Sequence, residues 1–312
     1  MTNISKIQEL LHQKAELLSK EKLIPYDGSP EIKTNGANKY LYVRKRQLGK
    51  LRSTYVDVYS DELYQLLLRN AKELRALRKN IRAIDKQLAI LGYTENELPQ
   101  RVLQNIDFAR ANMKSNIYDQ AVLEGVATSF SQTEEIIDNG IVTGMTATDV
   151  QKILNLKHAW EFILDKDVIQ SETNYYLLCH IARLVNEGFF YNGGQIRSVP
   201  VSIGGCRYVP PIPIESTVQS DIANIITSDD LDNVDKAIRL CLYCMKTQVF
   251  TDGNKRASVI FANHYLIAHG EGFLVIPENH VPAFKKLLVE YYEGADEKII
   301  STFMKENCLR QF

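Results

Sequence analysis

The sequence predicts a mainly α-helical protein in two parts. The first is a basic region over 1–100, built as a helix, a β-hairpin and a coiled-coil-like heptad helix. The second is a helical domain over 101–312 that carries one short β-hairpin. Three observations lead there. Apolar residues recur at helical spacing along most of the chain, whereas β-branched and aromatic residues cluster as strands do in only two places. Charge is also divided unequally along the chain. Residues 1–86 carry 18 Lys and Arg against 10 Asp and Glu, a net of +8, and residues 87–312 carry 19 against 28, a net of −9. Such an asymmetry argues for two parts with different partners.

Residues 3–20 form the first predicted helix, with Ile4, Ile7, Leu11 and Leu18 on one stripe. Pro25, Gly28 and Pro30 break it, and the segment to about Asn38 reads as a loop. Two runs rich in Tyr, Val and Leu then flank Gln47-Leu-Gly49, the pattern of a hairpin. From Asp61 to Leu91, Leu67, Leu74, Ile81 and Leu88 recur every seven residues, as do Asn70, Leu77, Ile84 and Leu91. This seam must be buried, either on the first helix or on a second copy of the chain, which would make the 67–91 heptads a homo-oligomer contact.

Beyond Pro99 the predicted helices are 103–124, 131–139, 146–165, 172–189, 217–227, 232–248, 254–270, 280–292 and 295–307. The exception is Gly194–Pro211, where two short β-branched runs flank Gly204-Gly205 and should form a small hairpin. No apolar run approaches the ~18 residues of a membrane helix, and the start lacks a signal-peptide pattern. Five cysteines, an odd number in apolar surroundings, suit a reducing, cytoplasmic setting. Cys241-Leu-Tyr-Cys244 has no second pair to complete a zinc site and reads as core packing.

The chemistry concentrates in Phe250-Thr-Asp-Gly-Asn-Lys-Arg256, between two predicted helices. Gly253 permits a positive φ, and the helix that follows offers unpaired N–H groups and the positive end of its dipole. Together these make an anion-binding nest suited to a pyrophosphate. Asn254, Lys255 and Arg256 add donors and charge, Asp252 is a hard oxygen ligand for a Mg²⁺ bridging phosphates, and Phe250 anchors the loop.

This string resembles the Fic (Fido) family pattern H-x-F-x-[DE]-G-N-[GK]-R at every fixed position but the first, where Gln248 stands. The likeness extends over about residues 105–295. It includes Asp138-Asn-Gly140 before an amphipathic helix, the Gly194–Pro211 hairpin and Asn263-His-Tyr-Leu266. It implies a helical fold with a β flap, using ATP and Mg²⁺ to transfer AMP to a hydroxyl of a protein target. The flap, here Gly194, Arg197, Val199, Val201, Gly204 and Gly205, would hold that target by strand addition.

Three departures modify the expectation. An amide at Gln248 cannot take the hydroxyl proton as the family's histidine does, and a lost general base costs ~10²–10⁴ in rate. His264, His269 and His280 read as core or surface residues rather than substitutes. Val259 stands where AMP-transferring members usually carry a second arginine, and the G-N-K-R loop resembles Doc-type members, which phosphorylate their targets. Gln120-Ala-Val-Leu-Glu124-Gly125 resembles the family's inhibitory motif, but Glu124 lacks that usual partner. It either pairs with Arg256 or Lys255 or merely caps a helix ahead of Gly125.

The expected function is therefore an ATP-binding Fic-type protein whose transfer activity is weakened or altered. The alternatives are a non-catalytic nucleotide sensor or interaction module, and a Doc-like kinase. In the amino-terminal hairpin, Arg44, Lys45, Arg46, Lys50 and Arg52 are mixed with Tyr40, Tyr42 and Tyr55. Such a surface suits either nucleic acid or an acidic protein face.

Overall fold

The computed structural model describes residues 3–47, 50–94, 97–140 and 144–311. They divide into two compact units, Met1–Glu95 with Asp138–Gly140, and Asn96–Ile137 with Ile141–Phe312.

In the first unit, α1 (Asn3–Leu23) precedes a three-stranded antiparallel sheet of order β1-β2-β3, formed by Ser29–Asn35, Asn38–Gln47 and Lys50–Val58. Helix α2 (Asp61–Ile90) follows, its start capped by the Ser60 hydroxyl, which accepts from Leu63 N. The predicted hairpin is β2–β3, and its turn residues Leu48 and Gly49 lie outside the described residues. The segment expected to be a loop contains β1. Its register against β2, Glu31 opposite Tyr42 and Lys33 opposite Tyr40, is a non-local pairing that local composition does not reveal.

The heptad seam is buried within this unit. Leu10 and Leu11 of α1 pack on Ile84 and Leu88, while Leu41 and Val43 of β2 pack on Leu67. Asn70, also in the seam, donates to Pro25 O at 3.0 Å, so its buried amide is not left unpaired.

The second unit is helical: α3 (Gln100–Ala111), α4 (Met113–Leu123), α5 (Phe130–Asn139), α6 (Ala147–Ile163), α7 (Lys166–Ile169), α8 (Tyr175–Val185), α9 (Glu215–Thr227), α10 (Asn233–Thr247), α11 (Asn254–Ala268), α12 (Val281–Tyr292) and α13 (Glu297–Asn307). The single helix expected over 103–124 is broken at Asn112, whose side chain donates back to Phe108 O at 2.8 Å and competes with the helical ladder. Every residue from Arg256 to Ile267 of α11 is buried, which makes it the central helix. Helices α3, α6, α8 and α10 pack around it. A short pair, β4 (Phe273–Leu274) with β5 (Leu309–Arg310), closes one end, and Asn263 braces it through both backbone groups of Leu274. Among the described residues no helix is long and apolar enough to cross a membrane.

Because Leu67 is 1% exposed and joins helix to sheet, Leu67→Ala should remove about 2–5 kcal/mol of stability. Urea denaturation of the two proteins reads the difference directly, and a loss under 1 kcal/mol would contradict this packing.

Candidate functional site

Helix α10 ends at Thr247, and Gln248 caps it in the left-handed region (φ 49, ψ 61). For a residue with a Cβ this geometry costs ~1–2 kcal/mol, and such strain collects at functional sites. The turn drives Val249 and Phe250 into the core and brings the chain to Gly253 at φ 75, directly before α11. A Cβ at Gly253 would meet Asn186 Oδ1 at 2.7 Å, so both conformation and space require glycine.

Asn254 holds the loop closed. Its Oδ1 accepts from Phe250 N at 2.9 Å, and its Nδ2 donates to Phe250 O at 2.7 Å and to Gln248 Oε1 at 3.1 Å. No side chain caps α11, so its first-turn N–H groups are available to an anion. They border a cavity of about 410 Å³, within the range of small-molecule sites. Gln248, Asp252, Gly253, Asn254 and Lys255 form one wall, with Glu124 beside them. Ser202, Ile203 and Gly204 of the flap segment form another, and Lys285, Leu288 and Tyr292 of α12 a third. The α12 residues gave no signal in the sequence, since they occupy ordinary positions on an amphipathic helix.

Arg256 is not where sequence reasoning put it. The expected phosphate grip does not line the cavity and is 1% exposed. Its guanidinium donates to Val185 O at 2.6 Å, to Asn186 Oδ1 at 3.4 Å and to Asp252 Oδ2 at 3.0 Å. A buried cation must satisfy its donors internally, and here the end of α8 and the loop carboxylate do so. Asn186, which sequence reasoning missed, returns a bond from Nδ2 to Asp252 O at 3.0 Å. Phe250 likewise lies outside the main cavity and borders a smaller hollow of about 210 Å³ with Tyr191 and Gly194. Asp252 borders both hollows.

Glu124 follows α4, and its two oxygens lie 3.5 Å from Arg256 Nε and 3.6 Å from Lys255 Nζ. It therefore pairs with both cations, while Gly125 (φ 78) turns the chain away behind it. Gln120 positions this end of α4, donating to Arg256 O at 3.0 Å and accepting from Trp160 Nε1 at 3.0 Å. The contacts of Glu124 are too long for hydrogen bonds. Among the described residues Glu124 Oε1, Arg256 Nε and the Tyr292 hydroxyl are buried without a hydrogen-bond partner. Burial also pushes the Tyr292 pKa up, keeping it an O–H donor. Each such group costs ~1–3 kcal/mol unpaired, so their concentration here marks a place for a polar ligand.

The flap differs from expectation. Gly194–Pro211 forms no strands; it runs extended around a turn at Gly204–Gly205. The reason is Arg197, 3% exposed, which takes the carbonyls a ladder would use. It donates to Gln248 O at 2.6 Å, Val199 O at 2.8 Å, Pro211 O at 2.6 Å, Pro210 O at 3.3 Å and Thr247 O at 3.4 Å. Three prolines in the segment also lack the N–H a ladder needs. Val199 is half exposed and Val201 partly so.

Neither His264, His269 nor His280 lines the cavity. His264 is buried between Thr173 Oγ1 at 2.9 Å and Val168 O at 2.8 Å. Val259 is buried in α11, and no charge replaces the missing arginine there. Among the described residues no three metal-ligating side chains converge. A Mg²⁺ carried largely by phosphate oxygens needs only one or two carboxylates, and the half-exposed Asp252 fits that need.

Residues 172–266 match the model of the Fic/DOC family, and residues 4–65 match a domain of unknown function, DUF6788. No curated protein matches the chain. Solved structures similar to it include Fic-1 from C. elegans (residues 134–508), with a TM-score of 0.53 and 18% identity over 79% of this chain and 73% of that one. Another is a Fic domain containing signaling protein from Bacteroides thetaiotaomicron, at 0.55 and 16% over 68% and 86%. A Fic family protein from Desulfovibrio desulfuricans G20 gives 0.52 and 14% over 68% and 73%. These likenesses establish the fold.

Replacing Arg197 by Met should leave the flap carbonyls without their donor and cost roughly 1–3 kcal/mol. Hydrogen exchange should accelerate across 198–211 while α11 stays protected. Unchanged exchange in the flap would show that Arg197 is not its clamp.

Proposed function

We propose, for a chain whose residues 172–266 match the Fic/DOC family, that the second unit binds a nucleoside triphosphate such as ATP with Mg²⁺ in the 410 Å³ cavity. Transfer of AMP to a protein hydroxyl is then weak or altered because no general base is present. The observation that carries the reading is the loop from Gln248 to Lys255, locked by Asn254 and opening the first turn of α11 onto the cavity.

The residues divide the work. First-turn N–H groups and Lys255 would receive the phosphates, and Asp252 would hold the metal, which neutralises phosphate charge when bound. Arg256 and Asn186 fix Asp252 from behind. Glu124 stands against Lys255 and crowds the phosphate site, so a bound nucleotide competes with its carboxylate for that cation. The extended flap, whose Val199 carbonyl is held by Arg197, presents the exposed Val199 side chain to a target segment.

One observation favours the non-catalytic reading. The Gln248 amide is occupied at both ends, Nε2 donating to Met245 O at 2.6 Å and Oε1 accepting from Asn254. It cannot accept a proton near neutral pH, and it is tied away from an incoming hydroxyl.

Lys255→Ala should weaken ATP binding about tenfold by calorimetry, the scale of one charge-assisted bond. Unchanged affinity would place the nucleotide elsewhere. For catalysis, Gln248→His is the decisive substitution, because histidine is among the residues that tolerate the left-handed geometry. Combined with Glu124→Gly, it should raise transfer of α-label from ATP to protein by ~10²-fold or more. Transfer of γ-label alone would indicate a kinase. ATP binding with no transfer of either label by the double variant would leave the sensor reading standing.

A further inference from the structure

The amino-terminal sheet has one face packed and one face open. Leu41 and Val43 of β2 point onto Leu67, so alternation turns Tyr40, Tyr42, Arg44 and Arg46 to the other side. The register adds Tyr55 opposite Tyr42 and Leu51 opposite Arg46. Tyr55 and Leu51 are 51% and 62% exposed. The rings of Tyr40, Tyr42 and Tyr55 form a cluster, with centroids 5.6 and 6.3 Å from Tyr55 and Lys33 Nζ 4.4 Å from the Tyr42 ring. This is a firm, flat surface and not a set of loose side chains.

Cations occupy both sides of the ribbon. Arg44 and Arg46 share the tyrosine face, while Lys45 and Arg52 face each other on the reverse. A hollow of about 400 Å³ lies against α2, bordered by Arg44, Lys45, Arg46, Leu51, Arg75 and Arg78, and in it Asp27 pairs with Lys45 at 3.4 Å and with Arg78 at 2.9 Å. Between Glu31 and Asp57 there are seven Lys and Arg and no acid. Among the described residues Arg46, Lys50 and Arg52 make no ion pair. Lys33 and Arg44 share Glu31 and Lys45 pairs with Asp27, so the charge open to a polyanion is that of Arg46, Lys50 and Arg52 at the end of the hairpin.

We propose that this ribbon binds double-stranded DNA, lying in the major groove. The reading concerns the first unit alone and does not depend on nucleotide binding by the second. Strand β1 pairs with β2 only as far as Arg44, so the β2–β3 hairpin continues past the sheet as a two-stranded ribbon at Lys45–Arg46 and Leu51–Arg52, and the B-form major groove, about 12 Å wide, admits such an element. Arg46 and Arg52, exposed on opposite faces of that end, reach the two phosphate backbones flanking a groove, whereas a single strand needs cations on one face only. Leu51 and Tyr55 then meet base edges and thymine methyls. A-form RNA presents a major groove too narrow for such an element, which favours DNA.

The test uses the whole chain and fluorescence anisotropy with a labelled 30-bp DNA duplex. A 30-nucleotide single strand, an RNA duplex and polyglutamate serve as competitors at equal charge. At 50 mM salt the duplex should bind best, and log K should fall against log salt with a slope of about −4, as expected for roughly four or five phosphate contacts. Arg46→Glu with Arg52→Glu, both on exposed side chains, should weaken binding at least tenfold and flatten that slope. Tyr55→Ala should weaken binding and leave the slope unchanged. The circular dichroism spectrum of each variant reports folding. If the charge-reversed protein misfolds, Arg46→Ala and Arg52→Ala singly should each lower the slope by about one. No duplex binding at 50 mM salt overturns the proposal. Tighter binding of the single strand, RNA or polyglutamate does so equally, as does full affinity in the charge variants.

Discussion

Arg256 lies in the core of the helical unit with a full charge and almost no water. Burying an unpaired guanidinium is prohibitive, so the surrounding chain has to supply acceptors. It does so from three directions: the Val185 carbonyl at the end of α8, the Asn186 amide just beyond it, and the Asp252 carboxylate four residues upstream. Each acceptor is thereby fixed. Asn186 holds the Asp252 backbone in return, and its side chain occupies the space a Cβ at Gly253 would need. The loop shape, the glycine and the position of the one carboxylate that borders both hollows follow from satisfying a single buried cation.

Gln248 shows the same economy from the other side of the loop. Its left-handed backbone is needed whatever its side chain does, because the chain must turn from α10 toward the core and accept the Arg197 bond at its carbonyl. The side chain then adds two bonds, one back to α10 and one forward to Asn254. A glutamine here strengthens the scaffold, while an imidazole would sacrifice part of that bonding to face an incoming hydroxyl. The position is thereby held rigid, and the turn beyond it keeps its shape through the bonds between Asn254 and Phe250.

Much of this was legible in the sequence, for reasons that differ by element. Most helices declare themselves because caps and apolar spacing are local signals; Ser60, Thr146, Asn174 and Asp232 each cap where the pattern begins. The site loop is legible because Gly253 and Asn254 act on their immediate neighbours. Legibility fails where partners are distant. Strand β1 exists through its pairing with β2, and the flap lacks its ladder because Arg197 intercepts the carbonyls. Arg256 reads as a phosphate ligand from the motif, but its burial depends on α8, about 70 residues away in the chain. The α12 wall, Lys285, Leu288 and Tyr292, carries no motif at all.

Glu124 sits where these constraints meet, against both Arg256 and Lys255. Gln120 anchors its helix to both Trp160 and the Arg256 carbonyl, so the carboxylate cannot drift far from Lys255 and Arg256. Yet its contacts, at 3.5 and 3.6 Å, stop short of hydrogen bonds, and Arg256 Nε is left unpartnered beside it. A carboxylate meant only to neutralise these two cations would gain about 1 kcal/mol of Coulomb energy per pair by closing that gap at an effective dielectric of roughly 20. That it does not close follows from the other commitments of Arg256, whose remaining nitrogens are pulled toward α8 and Asp252. The result is an acid held near cations without saturating them. Lys255, partly buried where Arg256 is fully so, is the cation of the pair that an anion in the cavity would meet.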